Sequence, residues 1–388
     1  MHSPEMHGFR DFPVCDMHVH STMLHKVDRT VEIFHQLMTF HDYERIAVLA
    51  INQHQREADP GNTLKSLYCK SRLNTSDSPS RVYAYGNIFP FYDGRDTAEG
   101  YLRQVKQLYA LGVDGYKMLD GKPSMRKKLG HRLDDVVFDE MYSFIEEKGM
   151  PLTMHVADPR TNWDITKMSE YAIKKGWFCD ETFPTFDDLR GEVEGILTKH
   201  PQLKLCVAHF HFMGDEYDYA CEFMEKFPNA VLDLTPGGEM FAGFTERHDV
   251  WREFFIKYAD RLYFGSDTYN VETGATMDTL ELYDGKPACS YRINQTRRML
   301  EGSEPFDDKN YGRLVPLSLP DDALMKIYHD NFVARHGEAR QVNAALAAQS
   351  AADILTALEH GLITTREAND DETEIENLKV VYNYYSNL

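Results

Sequence analysis

FPVCDMHVH, residues 12–20, is an apolar run that closes on two histidines, His18 and His20. Its branched and aromatic residues read as a β-strand. A doubly wound dinucleotide-binding sheet would follow its first strand with a Gly-rich phosphate turn, and none is present here. Runs of the same kind recur at RIAVLAIN (45–52), RVYAYGNIFP (81–90), GVDGYKML (112–119), MPLTMHV (150–156), LKLCVAHFHF (203–212), NAVLDLTP (229–236) and RLYFGSDT (261–268). Helix-patterned stretches separate them, at 97–112, 134–149, 186–201 and 217–228 among others, each closing on Gly or Pro. Strand alternating with helix gives βαβ units and a parallel sheet. Eight strands, mostly about 30–40 residues apart, predict a (β/α)8 TIM barrel. Helical patterns at 323–337, 341–361 and 376–387 close it, with residues 1–337 forming the barrel and 338–388 a helical extension packed on it.

The 388 residues carry 42 Lys+Arg and 62 Asp+Glu, a formal net charge of −20. That balance argues against broad contact with nucleic acid or an anionic membrane. No apolar run reaches the ~18 residues of a membrane span, and MHSPEMHGFRDF at the N-terminus has no secretory pattern. The six cysteines lack metal-knuckle or disulfide spacing, so reduced thiols in a cytoplasmic protein are expected.

Side chains two apart on a strand share a face, so His18 and His20 point the same way at the C-terminal end of the first strand. Barrel active sites are built on that face. His155 ends the fifth strand, His209 the sixth with His211 beyond it, and Asp267 the eighth, while Lys117 lies at the same level on the fourth. One histidine at a strand end is usually an ordinary polar residue. Closure of a barrel would gather the whole set. Three imidazoles and a carboxylate from His18, His20, His155 and Asp267 suit one borderline divalent ion, most simply Zn2+, with a coordination position left for water.

DMHVH, MPLTMHV, KLCVAHFH and RLYFGSDT, in this order, resemble the amidohydrolase superfamily. They are most similar to its second amidohydrolase-type branch, which includes aminocarboxymuconate semialdehyde decarboxylase. IYHDNFVARHG (327–337) resembles the helix that ends that branch, and the likeness covers roughly residues 12–337. The resemblance implies that His18, His20, His155 and Asp267 hold one metal. It also implies that Asp267 is the general base and that His209 polarises substrate or moves a proton. Binuclear members of the superfamily carry a carboxylated lysine on strand four. Lys117 is therefore open to three readings: a carbamate bridging a second metal, an ammonium for a substrate carboxylate, or a partner of Asp114 or Asp120. The implied reaction is attack of metal-activated water on an amide, ester or lactone-like carbonyl of a small substrate. Non-oxidative decarboxylation or hydration at the same site is the alternative, and a non-catalytic metal-binding barrel is a third reading.

Around the site, Arg160, Trp163 and Trp177 lie on a long segment after strand five, and a basic stretch (120–135) follows strand four. Arg160 and His211 are further candidates for substrate contact, with Asn87, His54 and Thr235 as weaker ones. The C-terminal helices leave room for a homo-oligomer contact.

Overall fold

The computed structural model describes residues 9–21, 26–51, 61–90, 96–168, 170–174, 176–235, 238–269, 290–308, 311–363 and 370–388. His54 and Cys289 lie outside them. Eight parallel strands run in chain order: β1 (Val14–His20), β2 (Tyr43–Leu49), β3 (Val82–Ile88), β4 (Gly115–Gly121), β5 (Pro151–Val156), β6 (Lys204–Val207), β7 (Val231–Asp233) and β8 (Leu262–Tyr263). Each pairs with the next. A short continuation of the eighth, β9 (Thr268–Tyr269), pairs with β1 through Val19 and His20. The Met17 N–H donates to Phe264 O at 3.0 Å between the two halves. The sheet therefore curls into a TIM barrel, as the strand spacing predicts.

Helices wrap the outside: α1 (Val27–His41), α2 (Asn62–Leu73), α3 (Ala98–Leu111), α4 (Pro123–Leu129), α5 (Asp139–Glu147), α6 (Glu170–Lys174), α7 (Phe186–Lys199), α8 (Tyr217–Lys226), α9 (Gly238–Glu246) and α10 (His248–Lys257). They are followed by α11 (Ser290–Glu301), α12 (Asp321–Met325), α13 (Asn331–His336), α14 (Ala344–Glu359) and α15 (Asp370–Ser386). Local signals fix their ends. Thr97 caps α3 by accepting from the Gly100 N–H, and Gly112 closes it at φ 92°. A side chain at Gly112 would also strike Gln341 O, 2.1 Å from where its Cβ would lie, so the turn and the C-terminal segment need the same glycine.

Strand alternation divides the apolar residues into two cores. Ile46, Val48, Val82 and Ala84 face outward into the large core beneath the helices. Ala47, Leu49, Tyr83, Tyr85, Cys206, Val231 and Tyr263 face inward and fill the barrel. At β1 the register against β2 shifts between Asp16 and Val19. Cys15 can thus belong to the inner core while His18 and His20 also turn inward, because a bulge re-aims the side chains beyond it.

The strand-start end is sealed by α13. Asn331 donates to Leu262 O at 2.7 Å, and Arg335 to Lys204 O at 2.6 Å. Its Phe332 enters the inner core, and His336 stacks on Phe332 with ring centroids 4.0 Å apart. Tyr85 Oη meets His336 Nε2 at 2.7 Å. Burial holds the His336 imidazole neutral, pushing its pKa down to about 3. The unfolded chain takes up that proton below the ordinary value of 6.5, whereas the folded chain resists it down to about 3. Stability from this group is therefore present above pH 6.5 and falls as the pH drops through that window. His336→Gln is expected to make acid unfolding shallower by about 1.4 kcal/mol per pH unit there. Denaturant titrations of both proteins at pH 4 to 7 check this, and parallel curves would refute it.

The extension lies against the early helices. Lys65 on α2 and Glu374 on α15 form a buried pair at 2.9 Å. The Asn377 side chain accepts from the Val27 N–H at 2.8 Å, and the Asn343 N–H donates to Leu111 O at 3.0 Å. Among the described residues no helix is long and apolar enough to cross a membrane.

Candidate metal centre

His18 and His20 leave β1 with their Nε2 atoms 2.9 Å apart. Asp267 Oδ1 lies 3.2 Å from His20 Nε2 and 3.9 Å from His18 Nε2. The three side chains form one compact group of candidate ligands. Their outer contacts decide what the inner atoms are. His18 Nδ1 lies 2.8 Å from the buried carboxylate of Asp233, and His20 Nδ1 lies 2.8 Å from the carbonyl of Leu49. Both partners only accept, so both protons sit on Nδ1. The two Nε2 lone pairs then face each other and a carboxylate oxygen with no proton between them. That arrangement is repulsive by itself and is the donor set of a divalent cation.

Burial pushes the His18 pKa down to about 4, with the Lys117 ammonium acting in the same direction and Asp233 against it. Lys117 Nζ donates to His18 Nε2 at 3.2 Å. Burial lowers the lysine to about 8, and Asp233 and Asp267 oppose the shift. Burial alone would raise the Asp267 carboxyl, but the adjoining His20 imidazole and the charge of Arg292 outweigh it and hold it well below the carboxylate range.

Asp267 itself sits at φ 51°, an uncommon conformation for a residue with a side chain. Arg292 Nη1 holds it there, donating to its backbone oxygen at 2.7 Å and to Oδ2 at 3.1 Å. This turn explains why the run 261–268 is split: the strand pauses from Phe264 to Asp267 before β9. A side chain at Gly265 would meet Thr235 Cγ2 at 2.7 Å and His18 Cβ at 3.1 Å, so the bare backbone lets β1 and β7 close around the cluster.

The expected strand 203–212 ends at Val207. Residues 209–212 instead make a left-handed turn, with φ of 57°, 53°, 51° and 50° at His209, Phe210, His211 and Phe212. Left-handed backbone costs about 1–2 kcal/mol per residue with a Cβ. Phe210 anchors the turn, stacking on Phe255 and meeting Trp251 edge-on. The turn aims His209 at the cluster: Nε2 lies 3.0 Å from His155 Nδ1, and Nδ1 lies 3.0 Å from Thr235 Oγ1. His155 Nε2 in turn lies 3.3 Å from Asp158 Oδ1, which Lys122 contacts at 2.7 Å.

The structure thus brings His18, His20, Asp267 and Lys117 together and sets His155 and His209 beside them as a second pair. Arg160 lies elsewhere, at the surface, engaged by Asp187 at 2.8 Å and Glu216 at 3.1 Å. His211 is buried against Phe223. The basic stretch is largely paired: Lys122 with Asp158, Arg126 with Glu192 and Arg132 with Asp134. Three residues stand outside the sequence reading. Asp233 orients His18. Asp16 accepts from the His18 N–H at 3.0 Å and the Ser266 hydroxyl at 2.5 Å. Arg292 holds Asp267. The alternation of Asp233 and Thr235 in LDLT was the available signal for the first; Asp16 and Arg292 carry no pattern of their own.

The closed barrel and the candidate ligands that converge from its strand ends have the make-up of a metal-dependent TIM-barrel enzyme. The family model described as Amidohydrolase matches residues 15–331, and the chain belongs to that family. No curated protein matches the chain in sequence. Among solved structures, an uncharacterized TIM-barrel protein of Bordetella bronchiseptica is 14% identical, with 84% of this chain and 100% of that chain aligned and a TM-score of 0.51. The apo form of IDCase from Metarhizium anisopliae is 12% identical over 84% and 97% of the two chains, with a TM-score of 0.50. A 2,6-dihydroxybenzoate decarboxylase from Rhizobium is 13% identical over 84% and 98%, with a TM-score of 0.46. These likenesses concern the fold.

Proposed function

We propose that the chain is a metal-dependent hydrolase acting on an amide, ester or lactone-like carbonyl of a small, carboxylated substrate. The observation that carries this reading is the meeting of the His18 and His20 Nε2 lone pairs with Asp267 Oδ1. These three residues would hold a divalent ion such as zinc or manganese, with His155 joining them by releasing Asp158 or His209, and the ion would supply the positive charge that acidifies water and polarises an oxygen. The chain's own groups do the rest. Asp267, kept ionised, takes a proton at its carboxylate. Asp233 and the Leu49 carbonyl hold the two imidazoles in the tautomer that carries its proton on Nδ1 and presents a lone pair at Nε2. Lys117 presents an ammonium within the barrel for a substrate carboxylate; a carbamate at Lys117 and a second metal form the rival arrangement.

One observation favours a lyase as the second reading. Three contacts, Asp158 to His155, His155 to His209 and His209 to Thr235, each need a proton, and Thr235 gives its own to Asp233 at 2.5 Å. Two neutral imidazoles supply two. The chain therefore has a place for one further proton, and Lys122 at its outer end is partly exposed. Loss of CO2 leaves a carbanion that needs such a proton.

The test uses protein stripped with chelator and reloaded with zinc or manganese, offered carboxylated lactones and amides and carboxylated aromatic acids. Ring opening or amine release supports the hydrolase, and CO2 release supports the lyase. Chelation is expected to lower either rate by at least ~10³-fold, in the range of losing the principal transition-state charge. Full activity in protein shown by elemental analysis to hold no metal would overturn both readings. Two metal equivalents per chain would favour the carbamate at Lys117.

A further inference from the structure

Asn87 is the next inward residue on β3 after Tyr83 and Tyr85, whose rings fill the barrel. It stands in register with Lys117 on β4, and Lys117 with Thr153 on β5. The three therefore face the barrel interior side by side, close to where the Lys117 ammonium reaches His18. Asn87 is 3% exposed, yet neither its Oδ1 nor its Nδ2 has a hydrogen-bond partner. The Thr153 hydroxyl on the far side of Lys117 has no hydrogen-bond partner either. A buried amide left with both atoms unpaired is unfavourable, and such groups in folded proteins have a reason. Packing is not that reason, since an apolar side chain of similar size would serve better. The backbone N–H of Asn87 is already satisfied, donating to Thr63 Oγ1 at 3.1 Å, so the amide is not needed to complete the strand.

The unpaired atoms specify their missing partner. Nδ2 donates and can meet any oxygen. Oδ1 only accepts, so a bare carboxylate or phosphate cannot satisfy it. We infer that Asn87 is a specificity-determining residue that reads a hydroxyl, a group able to donate and accept at once, carried by the substrate beside the group that Lys117 receives. The inference rests on reading this end of the barrel as the substrate site, and it names what that substrate bears: a carboxylate with a hydroxyl on a neighbouring carbon. Sites that hydrogen-bond a substrate hydroxyl reject the analogue lacking it far more strongly than apolar pockets reject a missing methylene.

Matched pairs of acids test it: glycolate against acetate, and 2-hydroxybenzoate against benzoate, titrated calorimetrically into manganese-loaded and metal-free protein. The hydroxylated member of at least one pair is expected to bind ~10-fold or more tightly than its partner. Asn87→Leu is expected to erase that preference by weakening the hydroxylated acid alone. The same variant should raise the thermal midpoint of the ligand-free protein, because it removes two unpaired buried atoms; a purely structural asparagine would lower it. Asn87→Ala repeats the binding test if the leucine does not fit. Equal affinities within both pairs, as when an ordered water completes Asn87, overturn the inference. So does a preference that survives both variants, or no binding of any acid. Metal content measured on the same samples reports separately on the metal-centred reading.

Discussion

Asp267→Asn is expected to lower turnover by about 10²–10⁴-fold, the range for losing a positioned general base. The substitution keeps the volume of the side chain and its contact with Arg292, but it removes the negative charge that lies 3.2 Å from His20 Nε2. Two consequences separate in the measurement. If Asp267 serves mainly as proton acceptor, metal content stays near wild type while the rate falls. If it serves mainly as ligand, elemental analysis shows the metal lost together with the rate. Near-normal turnover with metal still bound would remove Asp267 from the mechanism. The φ of 51° adds a control. Asn tolerates left-handed backbone about as well as Asp, so a stability difference large enough to explain the loss is not expected.

The second large effect belongs to a residue that never touches the reacting atoms. Asp233 accepts from His18 Nδ1 at 2.8 Å, from the His209 N–H at 2.8 Å and from the Thr235 hydroxyl at 2.5 Å. Burial by itself would raise its pKa. His18, through its polar N–H and hydrogen bond, with His209 and Thr235, outweighs that and keeps the carboxyl ionised. Asp233→Asn offers His18 an amide that can donate as well as accept, so the imidazole is free to turn its lone pair the wrong way. Metal affinity is expected to fall about 10–100-fold, the range for losing the partner of a metal-binding histidine. Competition with a metal-binding dye reads it directly. An unchanged affinity would mean that the tautomer of His18 is set by something other than Asp233.

Much of this site could be read along the chain, because it is carried by short periodicities. The pair His18 and His20 is spaced by two on an apolar run, and His155 and Asp267 stand where such runs end. The barrel was legible for the same reason: alternating strand and helix patterns are local. What escaped was set by contacts far apart in sequence. Asp16 meets Ser266 across 250 positions, and Asp233 meets His18 across 215. The left-handed turn at residues 209–212 escaped for a different reason. HFHF has the composition of a strand, and only the aromatic nest around Phe210 makes the costlier backbone acceptable. Arg160 shows the converse. An arginine near a site reads as an anion receptor from the sequence, and the structure adds two carboxylates already in contact with it.

The buried pair between Lys65 and Glu374 has a bearing on how the protein is made. Lys65 lies on the second helix and is translated early; Glu374 lies on the last and emerges 309 residues later. Until then Lys65 stands open to water, and docking of that helix buries the ammonium and its carboxylate partner together. The two ends of the described chain are thus joined by a contact that only the nearly complete chain can make.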